Sequence, residues 1–262
     1  MSANILIVVE GQKTEPLFFK RIAEVYHLGF DIYCLKTNIY TLYTKMKAYD
    51  FDADIKNILT ELHPDEREKL SQKFAYTYLI FDCDAHHPKK HDNRKSIDIL
   101  QDNFQKLEKM ADYFIDETNP AIGKLYINYP MMESFRDCNF FFDDDYKSAE
   151  VEINDIPSYK QIVGRKKLCQ LHVGKFGRER FDSLILQNLH KLSMIHSNRW
   201  MKPDYRSYRQ MSDSKTLLSK EHELVQSRNV ISVINTSLFL IVDYFGNQKG
   251  YYDDLQAFNE VK

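Results

Sequence analysis

The sequence predicts an α/β fold in which helices cover both faces of a central, mainly parallel sheet, giving three layers, followed by a mainly helical C-terminal region. Apolar runs near residues 5, 76 and 124 are typical of buried strands. Stretches with helical spacing alternate with these runs, which is the pattern of a parallel sheet. We therefore predict an α/β domain over 1–145 and a helical region over 146–262.

The first strand and helix are predicted by the stretch ILIVVEGQKTEPLFF, residues 5–19. Its first five residues are a continuous aliphatic run, typical of a strand that is covered on both faces. Gly11 is expected to let the backbone turn, Thr14 to be the N-cap, and Glu15 to suit the positive end of the helix. The stretch therefore predicts a strand, a tight loop and a helix.

The remaining elements follow in order along the chain. Strands are predicted over 31–37, 76–81 and 124–128, and helices around 41–49, 53–62 and 95–114. In the C-terminal region, helices are predicted over 158–172, 179–195 and 217–228, and the apolar stretch 230–245 is predicted to be a core helix or strand.

The charge balance argues against a globally basic nucleic-acid binder. The 262 residues include 36 Lys and Arg and 38 Asp and Glu, which gives a net charge of −2. Contacts with phosphates would therefore have to come from local patches or from a metal.

The cysteines and the hydropathy pattern indicate a cytoplasmic protein. The four cysteines lie far apart with no CxxC pair, so we expect neither a thiolate zinc site nor a disulfide framework. The N-terminal apolar run is too short for a signal peptide, and no stretch approaches the roughly 18 apolar residues of a membrane span. We therefore expect no membrane contact.

Acidic side chains follow two of the predicted strands. Glu10 ends the first strand, and Asp82 and Asp84 follow the strand over 76–81. Ligands of parallel α/β sheets bind at the carboxyl ends of the strands. Alternate residues of an extended segment point the same way, so Asp82 and Asp84 can converge while Cys83 faces inward. Carboxylates suit Mg²⁺, and Glu10 could hold a second metal or move a proton.

Three segments together carry a resemblance to a known fold. IVVEGQKTEPLFF, YLIFDCDAHH and INYPMMESF, within about residues 5–135, look like the Toprim fold, with a glutamate after its first strand and Asp-x-Asp after a later one. More closely, they resemble the RloB-like and overcoming-lysogenization-defect (OLD) Toprim proteins of prokaryotic defence. The third segment departs from the pattern, because Tyr129 separates Asn128 from Pro130.

The resemblance implies an enzyme with metal-dependent phosphodiester chemistry. It implies Mg²⁺ or Mn²⁺ as cofactor and an endonuclease acting on RNA, including tRNA, or on DNA, in anti-phage defence. Some relatives work beside an ABC-type ATPase that holds or triggers the nuclease. Assembly into a homo-oligomer stays open.

The expected roles of the site residues follow from this chemistry. Asp82 and Asp84 would bind metal, and Glu10 would bind metal or act as a general acid or base. Either Lys13 or Lys175 would neutralise charge on the phosphate. Glu15 and Glu133 are candidate ligands of a second metal, although a helix-start role for Glu15 and a surface role for Glu133 are the alternatives.

Two basic segments are candidates for nucleic-acid contact. The first, HHPKKHDNRK, contains Lys89, Lys90, Arg94 and Lys95, and its His86, His87 and His91 could also form a zinc or manganese site with Asp82. A solvated loop is the alternative for all of them. The second, residues 198–210, interleaves aromatics with Arg199, Arg206 and Arg209. Here we favour a loop that buries its aromatics and solvates its arginines.

Two other functions use the same features. A primase-like nucleotidyl or phosphoryl transferase would incorporate labelled nucleotide instead of releasing cleaved nucleic acid. A non-catalytic module would bind metal only to order a surface for an ATPase, and would show metal-dependent association without turnover.

Overall fold

The computed structural model describes residues 4–28, 32–83, 96–116, 118–138, 144–165, 172–246 and 250–255. It is a mixed α/β structure with a mostly parallel five-stranded sheet and many helices, which confirms the predicted fold class. The strands are β1 (Asn4–Val9), β2 (Ile32–Lys36), β3 (Phe74–Asp82), β4 (Ile115–Asp116), β5 (Gly123–Asn128), β6 (Glu150–Glu152) and β7 (Val230–Ser232). The helices are α1 (Thr14–Tyr26), α2 (Ile39–Ala48), α3 (Ile55–Leu62), α4 (Arg67–Leu70), α5 (Ser96–Tyr113), α6 (Asp144–Lys147), α7 (Tyr159–Arg165), α8 (Arg178–Ser197), α9 (Tyr205–Met211), α10 (Ser214–Arg228), α11 (Phe239–Phe245) and α12 (Tyr251–Asp254).

The five-stranded sheet has the order β2-β1-β3-β5-β4. β1 pairs in parallel with β2 and with β3, whereas β4 pairs antiparallel with β5. The side chains of β1 from Ile5 to Val9 are fully buried, as expected for an interior strand covered on both faces. A separate antiparallel pair is formed by β6 and β7.

The chain divides into two compact units that alternate along the sequence. The first unit comprises Met1–Phe81 and Lys106–Tyr126, and the second comprises Asp82–Gln105 and Ile127–Lys262. The division falls inside β3, inside α5 and inside β5. The boundary at residue 145 stays a prediction.

Two helices of the first unit, α2 and α3, begin where the sequence supplies a capping side chain. Asn38 caps α2, because its Oδ1 accepts hydrogen bonds from the backbone N–H groups of Tyr40 and Thr41. Asp54 caps α3 by accepting from the N–H of Lys56. Both residues satisfy N–H groups that have no partner inside their helix.

The turn between β1 and α1 differs from its sequence-based description. Thr14 is the first residue of α1, not its N-cap, and Lys13 occupies the cap position without a side-chain bond. The Glu15 carboxylate instead accepts a hydrogen bond of 2.9 Å from the N–H of Gly11. Gly11 is not in the left-handed region; a Cβ there would lie 2.1 Å from a Glu15 oxygen. The glycine therefore admits the Glu15 carboxylate, and the turn needs no special backbone angle.

The second unit contains the predicted C-terminal helices. α8 and α10 cover the predicted stretches 179–195 and 217–228. α7 begins the stretch 158–172, of which 166–171 lies outside the described residues. The apolar stretch 230–245 is divided between β7 and α11. Among the helices of the described ranges, none is long and apolar enough to cross a membrane.

Candidate functional site

Glu10 stands directly after β1, in the first unit. Its Oε1 accepts a hydrogen bond of 2.8 Å from Nδ2 of Asn38. Asn38 reaches Glu10 because the N–H of Thr37 donates to the carbonyl of Val9, which continues the parallel pairing past the end of β2. The Oδ1 of Asn38 is occupied by the N–H groups at the start of α2. The Asn38 amide therefore caps α2 through its oxygen and hydrogen-bonds Glu10 through its nitrogen.

Asp82 is the last residue of β3 and belongs to the second unit. Its Oδ1 accepts hydrogen bonds from the backbone N–H of Met132, at 2.7 Å, and from Nδ2 of Asn128, at 3.4 Å. The backbone N–H of Cys83 donates to the carbonyl of Asn128, and the Cys83 side chain is buried as predicted. One oxygen of Asp82 is thus held by the last residue of β5 and by the backbone of the segment that follows it.

The donors to Asp82 are themselves held by buried polar groups. Oδ1 of Asn128 accepts from the N–H and the hydroxyl of Ser237, at 3.1 and 2.8 Å. The carbonyl of Met132 accepts from Nδ2 of Asn235, at 2.8 Å. Asn235 is oriented in turn by Asn188, whose Oδ1 accepts from the Asn235 backbone N–H at 2.7 Å. These four side chains are fully buried, so packing fixes the orientation of the donors.

The two candidate second-metal ligands have protein partners. Glu15 closes the turn at Gly11, as described above. Glu133 is 6% exposed and forms an ion pair with Lys160, whose own side chain is mostly exposed. The third motif therefore contacts Asp82 through Asn128 and the Met132 backbone. The metal roles of Glu15 and Glu133 stay predictions.

Several predicted residues lie outside the described residues. They are Asp84, the histidines His86, His87 and His91, and the basic residues Lys89, Lys90, Arg94 and Lys95. Lys13 is exposed before α1, and Lys175 is exposed at the end of a short 3₁₀ helix in the second unit. Their predicted roles stay predictions.

The second basic segment is partly helical. Arg206 and Arg209 lie exposed on α9, and Arg209 forms an ion pair with Asp243. Tyr208, from the same helix, is buried against Phe239. Arg199 precedes this helix and is exposed. The arrangement of Tyr208 and the arginines agrees with the favoured description of this segment, except that a helix replaces the expected loop, and nucleic-acid binding by Arg199 and Arg206 stays a prediction.

The chemistry of the two acids fits a hard cation, since carboxylate oxygens are the ligands that Mg²⁺ and Mn²⁺ prefer. Across the residues that the structure describes, no group of three or more His, Cys, Asp or Glu is gathered in a way that could hold a metal. Asp84, the third member of the predicted set, is not among those residues. The metal roles of Glu10, in the first unit, and of Asp82, in the second unit, stay predictions.

A cavity of about 460 Å³ lies in the first unit at the carboxyl end of β2. Asn38 lines it and also bonds Glu10, so the cavity adjoins the residue that holds this acid. Its other lining residues include Lys36, Thr37, Thr41 and His63. The carboxyl ends of parallel strands are where such crevices bind ligands.

The second unit also buries an acid and a base. Glu221 is fully buried, and burial raises the pKa of its carboxyl to about 8. Lys191 is also buried, and burial lowers the pKa of its ammonium to about 8. Its Nζ donates to the carbonyls of Tyr146, Lys147 and Ala149. Lys191 therefore satisfies backbone carbonyls at the end of α6 and just before β6.

The sequence does not predict that two asparagines hold the acids. Asn38 precedes an apolar-periodic stretch, which is an N-cap signal, so its capping role could have been predicted. Its bond to Glu10 depends on strand register and has no local signal. Asn128 was noted within the third motif, but its contact with Ser237 spans 109 residues.

Comparison with protein families matches residues 5–122 to the family described as RloB-like protein. The matched stretch is somewhat less than half of the chain, and it contains Glu10, Asn38 and Asp82 but ends before Asn128. The chain is therefore similar to RloB-like proteins over this stretch, in agreement with that part of the predicted resemblance. No curated protein and no solved structure matches the chain.

Proposed function

We propose that the protein is a divalent-metal-dependent nuclease that hydrolyses phosphodiester bonds in RNA, including tRNA, or in DNA. The observation that carries the proposal is that Glu10 and Asp82, the acids at the ends of β1 and β3, each accept hydrogen bonds that fix one carboxylate oxygen. Acids placed and oriented in this way at strand ends are typical of metal-binding sites. The similarity of residues 5–122 to RloB-like proteins supports the same assignment.

Each of the three strand-end acids would have its own role in the reaction. Asp82, with Asp84, would hold Mg²⁺ or Mn²⁺, and Glu10 would hold metal or move a proton. When bound, the metal would activate water and stabilise the leaving oxygen. The hydrogen bonds to one oxygen of Asp82 restrict rotation of its carboxylate, so the direction in which the other oxygen points is restricted as well. Such preorganisation lowers the cost of assembling a charged site.

The resemblance also supplies a proposed setting. It implies a nuclease of prokaryotic defence, which in some members of the resembled families is held or triggered by an ABC-type ATPase. We extend both properties to this protein as part of the proposal. If the protein is a restrained nuclease, addition of the ATPase should change the rate of cutting. If it is a non-catalytic module, it should associate with the ATPase without cutting.

The test is cleavage by the full chain. Purified protein is incubated with total tRNA, single-stranded RNA or plasmid DNA, in the presence of Mg²⁺, Mn²⁺ or EDTA. We expect metal-dependent cutting of one substrate class. The variants Glu10→Gln and Asp82→Asn remove a charge with little change of shape, and each should lower the rate at least about 100-fold.

The controls are acids of the same units that lie exposed. Glu68→Gln in the first unit and Glu179→Gln in the second should cut at the wild-type rate. Full activity of both Glu10→Gln and Asp82→Asn would overturn the proposal. Incorporation of labelled nucleotide without hydrolysis would instead favour the transferase.

A further inference from the structure

Both polar ends of the Asn38 side chain have a defined partner. Its Oδ1 accepts from the N–H groups of Tyr40 and Thr41, at 3.0 and 3.1 Å. Its Nδ2 donates to Oε1 of Glu10, at 2.8 Å. Rotating the amide by 180° would break the cap and would turn an oxygen towards a carboxylate. The helix cap therefore determines that an N–H group faces Glu10.

Capping alone does not explain an asparagine at this position. Asp, Ser and Asn are about equally good N-caps, because each offers an oxygen to the free N–H groups of the first turn. α3, in the same unit, is capped by Asp54, which has no N–H to donate. Of the good caps, asparagine combines an acceptor for the helix with a separate donor for a neighbouring carboxylate.

We infer that Asn38 is a positioning residue for the carboxylate of Glu10, in addition to being the cap of α2. The inference rests on the proposed function, since it concerns how Glu10 is presented to metal or substrate. A hydrogen bond to one oxygen restricts rotation of the carboxylate plane. Groups that orient metal-binding side chains in this way typically affect affinity or rate by about 10–100-fold when they are removed.

Two substitutions separate capping from positioning. Asn38→Ser keeps a cap and removes the amide N–H that donates to Glu10. Asn38→Asp keeps a cap and places a second carboxylate beside Glu10. If Asn38 positions Glu10, Asn38→Ser should lower kcat about 10–100-fold. In Asn38→Asp, the acidic limb of the pH–rate profile should move up by roughly one pH unit, because like charges favour the protonated form.

The stability readout and the matched control exclude a purely structural effect. Both variants should unfold within a few degrees of the wild type, because the cap is retained. Asp54→Ser exchanges one cap for another at α3, and it should leave kcat, the pH profile and Mn²⁺ affinity unchanged. Calorimetric titration of Mn²⁺ into wild type, Asn38→Ser and Glu10→Gln gives a second readout; Asn38→Ser is expected to bind more weakly than wild type.

The outcomes are distinct for the inference and for the proposed function. Metal-dependent cutting that is lost in Glu10→Gln but is unchanged in kcat and pH profile in both Asn38 variants would overturn the inference alone. A loss of activity that matches a loss of folded protein in these variants would also overturn it. Wild-type protein that neither cuts nor binds Mn²⁺ would overturn the proposed function, and the inference with it.

Discussion

The two units differ in what they bury. Among the described residues, 21 buried side chains are polar or charged; three of these lie in the first unit and 18 in the second. In the first unit they are Thr37, Thr77 and Lys124. In the second they include the buried groups that hold the donors to Asp82.

The two candidate acids are held in different surroundings. Glu10 and its partner Asn38 are partly exposed, so their contact can be changed without exposing or burying a charge. Asp82 is held by Met132 and Asn128, which are buried. In the first unit, the residue that holds the acid therefore lies outside the core. In the second unit, the residues that hold the acid belong to the core.

The largest expected effect comes from making the same substitution in both places. Asn128→Asp puts a carboxylate at a fully buried position next to Asp82, and should cost about 3–5 kcal/mol of unfolding free energy. Asn38→Asp should cost less than about 1 kcal/mol. Urea denaturation at pH 8 checks both values. Similar costs for the two variants would contradict this difference between the units.

A smaller loss is expected from Asn235→Ala. The substitution removes the donor to the buried carbonyl of Met132, and should lower the unfolding free energy by about 2–3 kcal/mol. Urea denaturation measures this change. Asn57→Ala, at an exposed position of α3, is the control and should be neutral within about 0.5 kcal/mol. An Asn235→Ala protein as stable as this control would contradict a contribution from the buried network.

Glu221 gives the second unit a pH dependence. Its folded pKa of about 8 lies above the ordinary value, so its contribution to stability is present below about pH 4.5 and is lost as the pH rises towards 8. Glu221→Gln cannot ionise. The variant should match wild type near pH 4.5 and exceed it at pH 8 by at least about 1.4 kcal/mol, the free energy of one pKa unit.

The control for Glu221→Gln lies on the same helix. Glu223→Gln changes an exposed acid of α10, and its stability should follow the wild-type pH dependence. Denaturation series at pH 4.5, 6 and 8 would provide the comparison. If Glu221→Gln showed the wild-type dependence as well, the carboxyl would be ionised in the folded state.

The smallest effect is expected at Thr77, a buried polar residue of the first unit. Its hydroxyl donates to the carbonyl of Pro120 at 3.3 Å, which is a long hydrogen bond. Thr77→Val should change the unfolding free energy by less than about 1.5 kcal/mol. A cost as large as that of Asn235→Ala would show that buried polar groups matter equally in both units.

The sequence allowed the first unit to be predicted more fully than the second. The run of five aliphatic residues ending at Val9 strongly favours a strand that is buried on both faces, and β1 is such a strand. β6 was missed, because it has three residues and its two glutamates are exposed. No periodic pattern signals a strand of that length, and it is defined by its pairing with β7.

The candidate site shows the same limit. The strand-end position of Asp82 follows from the apolar run before it. The contact between Asn128 and Ser237 joins distant parts of the chain through specific polar atoms, and hydropathy carries no information about it. The ion pair of Glu133 with Lys160 is likewise a product of packing.

The interleaved order of the two units has a consequence for protein synthesis. The first unit is complete only when residue 126 has left the ribosome, and by then residues 82–105 of the second unit have already emerged. Domains that are contiguous in sequence can fold one after the other during translation. Here residues 82–105 emerge before the first unit is complete, and the rest of the second unit, from residue 127 onwards, emerges only afterwards.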